Sequence, residues 1–288
     1  MFDFRYHALS LVAVFVALLI GLLLGVAIGD QGLVSSAERD LRALLRSDVR
    51  DANKRSDDLR EQVAESNRFA QEAYQPLVAD RLNGGRVALI FLGPGSDDIA
   101  ENVRNALVGT GAKLVAVGVL REPLDTGELA GAADGTRYER LTAGDEDLAN
   151  GLGVRVGVQL VSGGKLIGEL REALFKTLNG EIGDVTSVVL VRRSPDLEGA
   201  AATTRDAFED GLVTGIRRSG ARVVGAEASD ADPSQISWFE KRDLSSVDAI
   251  DRIEGRAGLV LALAGAQGTF GIKDSAEALL PDVVGPGQ

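Results

Sequence analysis

The sequence predicts an α/β protein with an N-terminal transmembrane helix, a helical coiled-coil stalk and a parallel-sheet α/β domain that contains two related βαβ units. Three observations predict this class. An uncharged apolar run lies near the N-terminus, a charged segment without glycine or proline follows it, and the remainder alternates short apolar runs with amphipathic segments. The predicted parts are a short tail at 1–8, a transmembrane helix at 9–29, a stalk at 30–83 and an α/β globular domain at 84–288.

The apolar run is long enough to cross a lipid bilayer as a helix. No Lys, Arg, Asp or Glu lies between Tyr6 and Gly29. At 1.5 Å rise per residue, the stretch from Leu9 to Ile28 reaches about 30 Å, which is the thickness of the hydrocarbon core. A cleaved leader is the alternative, because Ala27-Ile28-Gly29 is a small-x-small triplet. The apolar cores of leaders are usually shorter, so the length favours a retained anchor.

Three glycines repeat at intervals of four within this run. Gly21, Gly25 and Gly29 form two overlapping GxxxG steps on one helix face. Glycine at this spacing lets two membrane helices approach closely, so we predict that these residues pack a helix pair. The alternative is that glycine is simply common in membrane helices.

The segment from Glu38 to Gln75 has the composition of a long solvated helix, and a heptad pattern runs through it. Two of the core positions in this register hold serine, so the seam is weak by itself. A single amphipathic helix that lies on the next domain is therefore the alternative. Because a membrane helix would tether two such segments side by side, we predict a parallel homodimer. The predicted seam consists of Leu45, Val49, Ala52, Leu59, Val63 and Ala70.

The globular part alternates predicted strands and helices, which indicates a parallel sheet covered on both faces. The strands are predicted at 87–92, 111–120, 185–194, 220–228 and 257–265. The helices are predicted at 97–108, at 158–178 with a break at Gly163-Gly164, at 199–218 and at 234–253. Trp238 and Phe239 are expected to anchor the last of these helices. The stretches TGAKLVAVG and SGARVVGAE are similar, which suggests two copies of one βαβ unit.

The charge of the chain is strongly negative and unevenly distributed. The formal charge is −12; residues 30–81 hold nine basic and eleven acidic groups, so −10 lies after Arg81. Such a domain is repelled by phosphate backbones, which argues against a nucleic-acid partner. The basic residues near the apolar run leave the membrane orientation open, because Arg39, Arg42 and Arg46 are interleaved with acidic residues. The absence of cysteine excludes disulfides and thiolate metal sites.

No stretch of the sequence forms a complete catalytic motif. LGPGSDD at 92–98 resembles a phosphate-binding turn, but Asp97 and Asp98 are expected to cap the helix there. SGGKL at 162–166 lacks the Ser or Thr of a phosphate loop, and GLGVRVG at 151–157 lacks the third dinucleotide glycine. The single histidine is His7, so a Ser-His-Asp arrangement is impossible in the globular part. We therefore expect no enzyme activity, no cofactor and no metal site.

The N-terminus and the late segment GTFGIKDSAEALLP at 268–281 resemble one known family. Arg5, Tyr6 and His7 lead into ALSLVAVFVALLIGLLLG as they do in the MctB-type copper transport family of actinobacterial envelopes. This resemblance implies a single-pass cell-membrane protein with a cytoplasmic N-terminus and an extracytoplasmic domain. It also implies a link to copper export or homeostasis. The family includes SteB-like division scaffolds, which pair with cytoplasmic proteins and with coiled-coil hydrolases outside.

Two hypotheses of function follow. Copper(I) prefers thiolate and thioether ligands and copper(II) prefers imidazole, whereas this chain offers only Met1 and His7. A non-catalytic dimeric scaffold for cell-envelope or division partners needs only an anchor, a dimer and a docking surface. The residues favour the scaffold, and the alternative is a component of copper efflux or copper homeostasis.

Overall fold

The computed structural model describes residues 4–29, 33–141, 146–193 and 197–282. The chain divides into two compact units, residues 1–68 and residues 69–288. The first unit contains α1 (Phe4–Gly29) and most of α2 (Leu33–Val78). Among the described residues, the stretch Tyr6–Ile28 is the one helix that is long and apolar enough to span a membrane.

The last turns of α2 belong to the second unit. Tyr74 and Val78 are buried there, and the hydroxyl of Tyr74 donates a hydrogen bond to the carbonyl of Ala106 at 2.9 Å. Burial raises the pKa of this hydroxyl to about 12, so Tyr74 remains a neutral donor. The helical segment therefore ends as part of the globular core.

A seven-stranded sheet forms the centre of the second unit. Its strand order is β3-β2-β1-β4-β5-β6-β7, and every neighbouring pair is parallel except β2 with β3. Val87 to Leu92 of β1 are all buried, as expected for a central strand covered on both faces. The strands are β1 (Arg86–Leu92), β2 (Lys113–Leu120), β3 (Phe175–Gly180), β4 (Ser187–Arg192), β5 (Arg222–Ala226), β6 (Ser245–Val247) and β7 (Thr269–Phe270).

Helices cover both faces of the sheet and enclose two apolar cores. One core contains side chains of α3, α10 and the end of α2, and the other contains side chains of α4 to α9. The helices are α3 (Asp97–Ala106), α4 (Thr126–Ala133), α5 (Glu146–Ser162), α6 (Lys165–Glu169), α7 (Arg171–Leu174), α8 (Gly199–Arg218), α9 (Ile236–Glu240) and α10 (Ile253–Ala264), with a short 3-10 turn at Glu139–Leu141. The mixed α/β class is confirmed. It stays a hypothesis that β1-α3-β2 and β4-α8-β5 are two copies of one βαβ unit.

The predicted strand at 257–265 is wrong, because these residues belong to α10. Residues 257–263 are all buried there, and the helix ends before Gly265, whose φ is 126°. A helix that is buried on every side shows no polar face, so its sequence reads like a buried strand.

Two predicted helices are only partly present. The helix at 158–178 breaks at Gly163 and Gly164 as predicted, but its last residues form β3, which pairs antiparallel with β2 at the edge of the sheet. The helix at 234–253 is reduced to α9, and Ser245–Val247 form β6 beside β5. Tertiary pairing overrides the local helical pattern in both segments.

Candidate functional site at the carboxyl edge of the sheet

A network of charged side chains lies where three neighbouring strands end. Arg192 is the last residue of β4, Glu227 follows β5, and Asp248 follows β6. Glu227 and Asp248 are buried, and the side chain of Arg192 is only 10% exposed. In open α/β sheets this edge is where ligands are usually bound, so the network is the first candidate site.

Arg192 connects α8 to the loop before α9. Its Nε donates to both carboxylate oxygens of Glu209 at 3.2 and 3.1 Å, and its Nη1 donates to Oε1 of Gln235 at 2.5 Å. The Arg192 guanidinium also lies 5.2 Å from the ring centre of Trp238, and that of Arg242 lies 3.8 Å from the same ring. Trp238 therefore supports two cations, which is a second role beside its packing on α9.

Glu209 is almost fully buried, and its surroundings favour the protonated form. Burial raises the pKa of Glu209 to about 8; the charge of Arg192 opposes this shift, and the hydrogen-bonded carboxyl of Glu122 adds to it. Burial therefore favours the protonated form of Glu209 against the attraction of Arg192, and the Glu209 carboxyl also shares a hydrogen bond with Glu122.

Glu227 holds the other half of the network. Its Oε1 accepts from Nζ of Lys273 at 2.6 Å and from Oγ of Ser234 at 2.8 Å, and its Oε2 accepts from the backbone N of Gln235 at 2.6 Å. The Lys273 ammonium also donates to the carbonyl of Ala231 at 3.0 Å. Because Gln235 contacts both Arg192 and Glu227, the two halves form one continuous network.

Asp248 fastens the late segment 268–281 to the sheet. Its two carboxylate oxygens accept from the backbone N of Ile272 at 2.7 Å and of Lys273 at 2.9 Å. Gly271 has a φ of 144°, and a Cβ at this position would overlap the Asp248 carboxylate. The stretch GIKD therefore has a structural role: its glycine makes room for one buried acid, and its lysine pairs with another. The sequence signal for this network is a charged residue at the end of an apolar strand, as Arg192 is at the end of β4.

The network is chemically self-contained. Most of its polar atoms bond to one another, although Oε2 of Glu122 and Nε1 of Trp238 are buried without a hydrogen-bond partner among the described residues. Those residues also contain no group of three or more His, Cys, Asp or Glu side chains that could hold a metal ion. The arrangement holds α8, α9 and the late segment against the sheet.

A large cleft lies at the opposite, amino edge of the sheet. It has a volume of about 1090 Å³, and its lining includes Gly84, Gly85 and Gly220. Arginines and carboxylates both line it, among them Arg217, Arg222, Glu240, Asp243 and Glu277. The cleft therefore shows no preference for one sign of charge.

Two of the three incomplete nucleotide- or phosphate-binding motifs have structural roles. In LGPGSDD, Ser96 caps α3 by accepting from the backbone N of Ile99 at 3.3 Å, whereas Asp97 and Asp98 lie in the first turn; the expected caps were wrong by one residue. In GLGVRVG, Gly153 and Gly157 lie inside α5 and face α8. A Cβ at either position would overlap the α8 backbone.

The residues predicted for membrane packing and for the seam stay predictions. Leu45, Val49, Leu59 and Val63 are 55–60% exposed on α2, Ala52 is exposed, and Ala70 is half-buried. A Cβ on Gly21 or Gly25 would meet nothing within 4 Å, and Gly29 is the last residue of α1. Arg5 lies in the first turn of α1, where Tyr6 and His7 are exposed.

Comparison with known proteins decides the family. The family model described as "Copper transport outer membrane protein, MctB" matches residues 1–281. The chain belongs to the MctB family. Proteins named copper transporter MctB from Mycobacterium bovis and Mycobacterium tuberculosis are 27% identical to it, over 91% of this chain and 92% of their own length. This confirms the resemblance seen in the N-terminal motif, and together with α1 it indicates a membrane protein.

Proposed function

We propose that this MctB-family chain is a non-catalytic, single-pass membrane scaffold that acts as a parallel homodimer. In this proposal the N-terminus is cytoplasmic, the globular domain is extracytoplasmic, and cell-envelope or division proteins dock on either side. The observation that carries it is the apolar seam of α2, where Leu45, Val49, Leu59 and Val63 are each more than half exposed.

A second copy of the chain is the best-supported cover for this seam. Burying one Val or Leu side chain fully is worth about 1.5–3 kcal/mol, so four per helix favour association. Two copies anchored in one bilayer already lie parallel and at high local concentration. The heptad register places these four side chains on one stripe, which is the arrangement that a coiled coil buries.

The proposal that the chain is not an enzyme rests on its residue inventory. His7 is the only histidine and there is no cysteine, so the globular unit offers neither an imidazole base nor a thiol nucleophile. The buried carboxylates at the carboxyl edge are bound to arginine, lysine and backbone amides, which is a structural use. A charge of −10 after Arg81 argues against nucleic acid as a partner.

Crosslinking through single engineered cysteines tests the dimer, because the chain has none of its own. Val63→Cys lies in the predicted seam, and Glu61→Cys lies on the opposite side of the same turn. We expect oxidation in native membranes to produce a covalent dimer with Val63→Cys and little with Glu61→Cys. Equal yields from both variants, or no dimer from either, would refute the seam.

A role in copper homeostasis is the second candidate, and the family and its mycobacterial relatives favour it by name. Met1 and His7 are the only thioether and imidazole ligands in the chain. Calorimetry with copper on the full chain, on residues 69–288 and on His7→Ala separates the candidates. The scaffold proposal expects no saturable site at about micromolar concentration in imidazole buffer. One competition-resistant copper per chain would instead support copper handling.

A further inference from the structure

We infer that an arginine-lined surface on α5 and its neighbours docks a short acidic segment of a partner protein. The surface, here called the arginine groove, is defined by Arg137, Arg140, Arg155 and Arg218. The inference deepens the scaffold proposal, because it names the chemistry of one partner.

Two adjoining concavities form the arginine groove. One has a volume of about 440 Å³ and is lined by Arg137, Arg140 and Arg155. The other has a volume of about 550 Å³ and is lined by Arg155 and Arg218, with Val154 and Val158 beside them. Arg155 and Gln159 line both, so the two are continuous. Among the residues that the structure describes, no carboxylate lines either concavity.

The charge of the arginine groove opposes that of the rest of the domain. All four arginines are exposed, and within the described part of the chain none of them forms an ion pair. The domain around them carries a net −10. Arginines that gather without carboxylates on an acidic domain create a local positive potential that attracts an anion.

The shape and chemistry of the groove favour carboxylates on a peptide. Guanidinium groups bind carboxylates through two parallel hydrogen bonds, and the half-buried Val154 and Val158 give the floor an apolar part that suits aliphatic side chains. A flat anionic bilayer does not enter a concave surface. A long polyanion would extend beyond the groove onto acidic surface, which repels it.

Fluorescence anisotropy with the full chain in nanodiscs of zwitterionic lipid tests this inference. The probe is a labelled peptide of about ten residues made of glutamate and leucine, and its glutamine counterpart serves as the uncharged probe. We expect Arg137→Glu with Arg155→Glu to weaken binding of the glutamate peptide by about tenfold or more. Arg104→Glu, an exposed arginine on α3, is the matched control and should leave binding within about twofold.

Three results would overturn the inference: no binding of the glutamate peptide, equal binding of the glutamine peptide, or an equal loss with Arg104→Glu. Groove-dependent binding of polyphosphate or anionic vesicles in place of the peptide would also overturn it. If circular dichroism shows that the double variant Arg137→Glu with Arg155→Glu is unfolded, the double variant Arg137→Gln with Arg155→Gln replaces it. Crosslinking at Val63→Cys in the same variants reports the dimer separately, so failure of the groove and failure of the scaffold are distinguishable.

Discussion

Glu209 is a carboxyl on α8 that couples the stability of the domain to pH. Its ordinary pKa of 4.5 rises to about 8 in the fold, chiefly through burial. Between these values the folded chain binds more protons than the unfolded chain. The stabilising contribution is therefore complete below about pH 4.5 and is lost as the pH rises through about 8.

We predict that Glu209→Gln flattens this dependence, because glutamine resembles the neutral carboxyl and does not titrate. The wild-type free energy of unfolding should fall between about pH 5 and pH 8, by at most roughly 1.4 kcal/mol per pH unit from this group. Urea unfolding across that range measures the slope. Glu240→Gln, on the exposed side of α9, is the control and should keep the wild-type slope of unfolding free energy against pH. An unchanged slope in Glu209→Gln would show that another group causes the dependence.

The helices α5 and α8 cross with their backbones in close contact. Gly153 and Gly157 of α5 face Gly211 and Gly215 of α8, and a Cβ at any of the four would overlap the backbone of the other helix. The glycines therefore allow contact between the two backbones, as in the GxxxG packing of membrane helices.

We predict that Gly215→Ala destabilises the domain by about 1–3 kcal/mol, because the added methyl group forces the two helices apart. Gly131→Ala in α4 is the matched control: its Cβ would meet nothing within 4 Å. Alanine there should be neutral or stabilise by up to about 1 kcal/mol through helix propensity. Thermal unfolding of the two variants compares them, and equal effects would contradict the packing argument.

In the proposed dimer, α1 and the α2 seam act together at the scale of the whole molecule. We predict that Gly21→Leu with Gly25→Leu weakens self-association, and that adding Val63→Asp weakens it further by placing a charge in the seam. Crosslinking yield in membranes measures both steps. Ala27→Leu and Ala64→Asp, which lie off the predicted faces, are the controls. An unchanged dimer in the combined variant would place the contact in the globular unit.

Much of the element content is predictable from the sequence. The length of the apolar run identifies α1, the composition between Glu38 and Gln75 identifies α2, and glycine-bounded apolar runs identify β1, β2, β4 and β5. The helix predicted at 199–218 coincides with α8. Helix periodicity and glycine or proline breaks depend on residues that are close together in the chain. A local sequence pattern is therefore enough to predict these elements.

Tertiary structure decided the remaining secondary-structure elements and the candidate site. Local periodicity reports that a residue is buried but not what it packs against, so α10 resembled a strand and β3 and β6 resembled helix. The network that joins Arg192, Glu209, Glu227 and Lys273 draws on β4, α8, the end of β5 and the late segment. Its geometry exists only after the sheet has brought these segments to one edge. The family of this protein and its apolar N-terminal helix are readable in the sequence, whereas the network and the arginine groove arise from contacts between residues distant along the chain.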